Sequence, residues 1–183
     1  MTSACSTVQA TSVPEDQPVW DALRKGGNVL LIRHTQAPGT FDPPGFVLSD
    51  CSTQRNLSEQ GRAQAKRLGE LIRAMKVPVG QVLSSPWCRC VDTAHLAFGA
   101  RHVKTHAVLG SPTQSDPEQR KVNADTMRIE IQKTQPAPGA NRIFVTHNFN
   151  IQDITGESVA EGEILVVRHG PSGLSVVGRI PAS

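Results

Sequence analysis

A chain of 183 residues with 38% hydrophobic content is long enough for one domain with a proper core, and too short for two of ordinary size. Its formal net charge of +3 is spread without a run of five basic residues, a mild bias toward small anions that carries no nucleic-acid signature. No apolar run approaches the roughly 18 residues of a membrane span, and the first ten residues lack the basic start and apolar centre of a signal peptide.

In chain order, residues 1–17 read as a poorly ordered leader and 18–183 as a single domain. Val19 to Lys25 forms a short helix stopped by Gly26-Gly27, and Asn28 to Arg33 a buried strand that runs into His34-Thr35. Thr35 to Arg55, with Pro38, Gly39, Pro43, Pro44 and Gly45, is a loop expected to lie over a site. Ser58 caps a helix in which Gly61, Ala65, Leu68, Ile72 and Met75 share a face, with Gly61 and Ala65 small enough to pack closely on a sheet.

Gln81 to Ser84 is a second strand, and Ser85-Pro86 caps a helix through Ala97. His102 to Val108 reads as a strand, Pro117 to Lys133 as an exposed helix, and Asn141 to Thr146 as a buried strand ending at His147. Ile164 to Arg168 and Leu174 to Val177 are strands joined by a turn. Strands alternating with helices predict an α/β domain with a mostly parallel central sheet flanked by helices on both faces.

Three strand ends carry chemistry: Arg33-His34, Ser84-Ser85 with Arg89 one turn later, and His147. In open α/β sheets, ligands bind at the carboxyl ends of the strands. Arginine forms paired hydrogen bonds to phosphate and keeps its charge, while a neutral imidazole can attack phosphorus, so the set suits a phosphoryl group. Cys88 and Cys90 flank Arg89 and point to different sides of a helix, which leaves either of them free to bridge Cys51. A zinc site built from Cys88, Cys90 and His95 lacks both the usual cysteine spacing and a fourth ligand.

The segments Leu31-Ile32-Arg33-His34-Thr35, Asn56-Leu57-Ser58-Glu59-Gln60-Gly61-Arg62-Ala63-Gln64-Ala65, Ser84-Ser85-Pro86-Trp87-Cys88-Arg89 with Thr93-Ala94, and Val145-Thr146-His147-Asn148 together resemble the histidine phosphatase superfamily, which includes the phosphoglycerate mutases. The resemblance implies a phosphohistidine intermediate on His34, with Arg33, Arg89 and His147 holding the phosphoryl oxygens. It implies neither metal nor cofactor, and a small phosphorylated substrate as the partner; the charge pattern and hydropathy predict no nucleic-acid partner and no membrane span. Thr35 stands where the family commonly has glycine, and its hydroxyl is a candidate phosphate contact. Gln54 and Arg55 are candidates for reaching substrate from the loop, or for a helix-entry salt bridge, and Asn148 is a further binding candidate.

Members with a cysteine at the Cys51 position and another just before the second arginine resemble exported bacterial proteins. That implies a Cys51–Cys88 disulfide, a periplasmic or secreted location, and a buried free Cys90; two reduced thiols in the cytoplasm are the alternative. The family's usual acidic proton donor after the third strand is missing from Leu109-Gly110-Ser111-Pro112, leaving Asp116 and Glu118 as distant candidates. The expected activity is therefore phosphomonoester hydrolysis, with a phosphate-binding or sensory domain, or a mutase, as alternatives. Arg168-His169-Gly170 matches the family's tripeptide more literally than Arg33-His34-Thr35, but no loop and helix follow it to build a pocket, so His169 is expected to be a solvated hairpin residue.

Overall fold

The computed structural model describes residues 17–113, 115–133 and 137–182. The expected leader lies outside them as far as residue 16. Gln17 opens helix α1 (Gln17–Lys25), two residues ahead of the expected start, and Gly26 and Gly27 end it at φ 76° and 78°, where only glycine sits without strain.

Strand β1 (Val29–Arg33) follows, and its alternation divides the core. Leu30 and Ile32 face α1 and two further helices, α2 (Glu59–Ala74) and α3 (Cys88–Phe98), through Leu23, Leu68, Ile72 and Ala94. Val29 and Leu31 face helices α4 (Pro117–Lys133) and α5 (Asn148–Thr155) through Met127, Ile131 and Ile151. The remaining strands are β2 (Val79–Ser84), β3 (Val103–Thr105), β4 (Asn141–Thr146), β5 (Ile164–Gly170) and β6 (Gly173–Ile180).

Their order is β3-β2-β4-β1-β5-β6, parallel from β3 to β1 and antiparallel at β5 and β6. This is the expected single α/β domain, with helices on both faces of a mostly parallel sheet. Because β2, β4 and β1 are adjacent and parallel, their carboxyl ends deliver Ser84, Thr146 and Arg33 to one edge. β5 runs the other way: Val167 pairs with Val29 and Ile164 with Ile32. Arg168 and His169 therefore lie at the opposite edge of the sheet, where Arg168 donates to Asn28 Oδ1 at 2.8 Å and half-buried His169 sits across from Leu174.

Several local expectations are corrected. Ser85 does not cap α3: its backbone N–H still reaches Val145 O at 2.8 Å, as the ladder continues, and the helix begins only at Cys88. The predicted strand from His102 to Val108 shrinks to three residues between two 3-10 turns. α4 is not exposed all round: it buries Ala124, Met127 and Ile131, at spacings of three and four, while Val122 and Ile129 stay exposed. Gly61 packs against the Gln36 backbone, not the sheet, and a Cβ there would collide with the Gln36 carbonyl.

Cys51 and Cys88 form a disulfide, with Cα atoms 5.7 Å apart, and Cys90 is a buried free thiol. The bridge removes Cys88 from any metal site. Among the described residues no helix is long and apolar enough to cross a membrane.

Candidate active site

His34 stands at the end of β1 and is 3% exposed. Its Nδ1 lies 2.9 Å from the Thr35 carbonyl, which can only accept, so Nδ1 carries the proton and Nε2 keeps its lone pair. Burial pulls the imidazole down to about pKa 3, and the positive charges of Arg89, Arg55 and Arg33 act in the same direction. The ring is neutral at any physiological pH.

His147, at the end of β4, is 4% exposed, and its ring centroid is 5.6 Å from that of His34. Burial, His34 and the same arginines hold it well below its ordinary 6.5. Ser85 and His147 are hydrogen-bonded: the Ser85 hydroxyl accepts from the Trp87 N–H at 3.2 Å and lies 2.9 Å from His147 Nε2. His147 Nδ1 has no hydrogen-bond partner among the described residues. Cys90 Sγ sits 3.6 Å from the same Nε2, and burial pushes its thiol up to about 12, so it stays protonated.

Three guanidinium groups converge with these rings on a cavity of about 260 Å³. Arg33 donates to Val159 O at 3.0 Å and lies 3.4 Å from Glu161 Oε1, while Arg55 donates to the same carboxylate at 2.7 Å. Arg89 is 3% exposed and donates to Asp42 Oδ1 at 2.8 Å. Asp42 also accepts from the Arg55 backbone N–H at 2.9 Å and from Trp87 Nε1 at 3.2 Å. Among the described residues, the buried Nε atoms of Arg33 and Arg89 have no acceptor. Orphaned buried N–H groups on two cations beside a cavity are what an anion would satisfy.

The structure thus brings Arg33, His34, Arg55, Arg89, His147 and Asn148 together around one cavity. Two expected binding residues are not there. Thr35 is fully buried with its hydroxyl 3.0 Å from Thr93 Oγ1, whose own proton goes to Arg89 O, and it does not line the cavity. Gln54 accepts from the Cys88 N–H at 3.0 Å and donates to Leu48 O at 2.8 Å, which staples the loop to α3. Arg55 pairs with Glu161, not with a helix-entry partner. Asn148 Oδ1 accepts from the Val159 N–H at 2.8 Å.

Asp42 and Glu161 are site residues that the sequence reading missed; each lies in an irregular segment and meets its arginine only through the fold. Asp116 accepts from the Gln119 N–H at the start of α4, and neither it nor Glu118 lines the cavity. The carboxylate at the cavity, Asp42, is held by three donors and serves to fix Arg89.

No curated protein matches the sequence. Solved structures of low identity share the fold. The protein histidine phosphatase SixA in complex with tungstate aligns at TM-score 0.59 and 15% identity, over 85% of this chain and 97% of that one. Mycobacterial glucosyl-3-phosphoglycerate phosphatase with bound VO3 aligns at 0.63 and 17%, over 86% and 100%. A phosphoserine phosphatase from Entamoeba histolytica in complex with phosphoserine aligns at 0.60 and 13%, over 83% and 95%. Residues 29–161 match the family model that spans the whole cluster from β1 to Glu161, and on that match the chain belongs to the histidine phosphatase superfamily (branch 1).

Proposed function

We propose that the chain is a phosphomonoester hydrolase that transfers the phosphoryl group to His34 and then to water. The observation that carries this reading is a buried, neutral imidazole with a free Nε2 beside three arginines and a second neutral histidine. In the first step, the Nε2 lone pair forms the bond to phosphorus as the ester P–O bond breaks. The departing oxygen takes its proton from water, since the lining carboxylate is engaged with Arg89. In the second step, water attacks phosphorus, the P–N bond breaks and its electrons return to Nε2, while the proton lost by the attacking water neutralises the hydroxide left by the first step.

Arg33, Arg55 and Arg89 bind the dianion and stabilise its equatorial oxygens, and the Nδ1–H of His147 donates to one of them as charge develops. In this reading the Ser85 hydroxyl donates to His147 Nε2, which leaves the ring proton on Nδ1. The names of the three related structures, which include phosphatases with bound oxyanions, support a phosphoryl ligand here by analogy. The Cys51–Cys88 bridge supports export to an oxidising compartment, periplasmic or extracellular.

The purified protein is expected to release phosphate from 4-nitrophenyl phosphate, with competitive inhibition by vanadate. Tight vanadate binding without any turnover would instead identify a phosphate-binding domain, the reading that the missing proton donor favours.

A further inference from the structure

The cavity wall has two parts of different character. Its inner part is the cluster of arginines and histidines, and every charged group there already has a partner or faces the phosphoryl site. Its outer part is neutral: Phe41 and Phe149, with the hydroxyls of Thr40, Ser111 and Thr113. Among the described residues no free cation or carboxylate lines it, so a second charge on a substrate would find no partner there.

The two phenylalanines are unusual in this chain. Of five phenylalanines in the sequence, these are the two with exposed side chains, at 65% and 38%, and both border this one cavity. Phe149 is held in place by the Arg120 guanidinium, 5.4 Å from its ring centroid, and Arg120 is itself fixed by Asp153 at 2.6 Å. Exposed aromatic rings beside a ligand cavity stay uncovered at a cost in hydration, and they favour a flat apolar partner. The cavity, at about 260 Å³, limits the buried part of a ligand to the phosphoryl group and one ring.

We propose that the substrate class is a phosphomonoester of a neutral alcohol or phenol carrying an aromatic ring, with the phosphoryl group among the arginines and the ring against Phe41 and Phe149. The proposal rests on the phosphatase reading for the identity of the reacting group. It separates this chain from enzymes whose substrates carry a second charge next to the phosphate, such as a phosphorylated amino acid or a phosphorylated acid. It also gives the loop after His34 a role in recognition, because Phe41 is the neighbour of Asp42, which holds Arg89.

The test uses phosphonates, which bind without reacting. Calorimetric Kd values for benzylphosphonate, ethylphosphonate and phosphonoacetate are measured on the full chain. Benzylphosphonate is expected to bind about tenfold more tightly than the other two, and the benzyl-to-ethyl ratio to fall about three- to tenfold in each of Phe41→Ala and Phe149→Ala. A variant that merely damages the fold weakens both ligands together and leaves that ratio unchanged. Equal binding of all three, tighter binding of phosphonoacetate, or a benzyl preference that survives in both variants would overturn the substrate class while leaving the phosphatase reading intact. Failure of all three to bind, in a protein that also fails to hydrolyse 4-nitrophenyl phosphate, would overturn both.

Discussion

Replacing His34 by alanine is expected to lower hydrolysis of 4-nitrophenyl phosphate by 10³-fold or more, the order of loss that follows removal of a catalytic nucleophile. Replacing His169 by alanine is expected to change it by less than about twofold, within what distant surface changes produce. The contrast is physical. His34 presents an unprotonated Nε2 to the cavity, because its other nitrogen is bound to the Thr35 carbonyl. His169 belongs to a strand running antiparallel to β1, so an apparently better tripeptide lands at the edge of the sheet without arginines 55 and 89. Steady-state kinetics on the two variants decides it: equal losses in both, or no loss in His34→Ala, would remove the nucleophile from this account.

The second large effect is on stability. His34 and His147 are neutral and buried in the folded chain, His34 with its pKa at about 3, whereas both titrate near 6.5 once unfolded. Below about pH 6.5 the unfolded state binds more protons than the folded one. Stability from these groups is therefore complete above that pH and is lost as pH falls, and for His34 the loss continues down to about pH 3. Each histidine contributes a slope of about 1.4 kcal/mol per pH unit within its window. Urea unfolding at pH 6 and pH 4 is expected to show the wild-type chain losing roughly 2–3 kcal/mol more than His34→Ala over that interval. The carboxylates common to both proteins cancel in the comparison, so parallel pH profiles would contradict a buried neutral His34.

Much of the fold was readable because local and global signals agree in it. Four apolar residues before Arg33 mark β1, and Ser58 caps α2 by accepting from the Gly61 N–H at 3.0 Å, as the sequence spacing predicts. Ser85-Pro86 was misleading, since it has the composition of a helix cap. The ladder bond to Val145 keeps Ser85 in line with β2, and the hydroxyl is directed to His147. α5 carries no readable signal because its eight residues, with Ile151 and Ile154 as the buried apolar positions and Phe149 exposed, make too short a pattern.

Within the site, strand ends were legible and loops were not. Arg33, His34 and His147 follow directly from where buried strands stop. Asp42 and Glu161 are separated in sequence from Arg89 and Arg55 by 47 and 106 positions, and only the long loop and the turn before β5 bring each pair together. Thr35 lies outside the cavity lining for a related reason. Its neighbour Thr93, 58 positions away, takes its hydroxyl, a contact that no local pattern announces.

The central claim is a phosphoryl group carried on His34. Mixing the protein with excess aryl phosphate, quenching within milliseconds at alkaline pH and mapping the peptides by mass spectrometry tests it directly. The expected result is an acid-labile, base-stable phosphoryl group on the peptide containing His34, absent from His34→Ala. Product formation at full rate with no phosphoenzyme, or with the phosphoryl group on another residue, would contradict it.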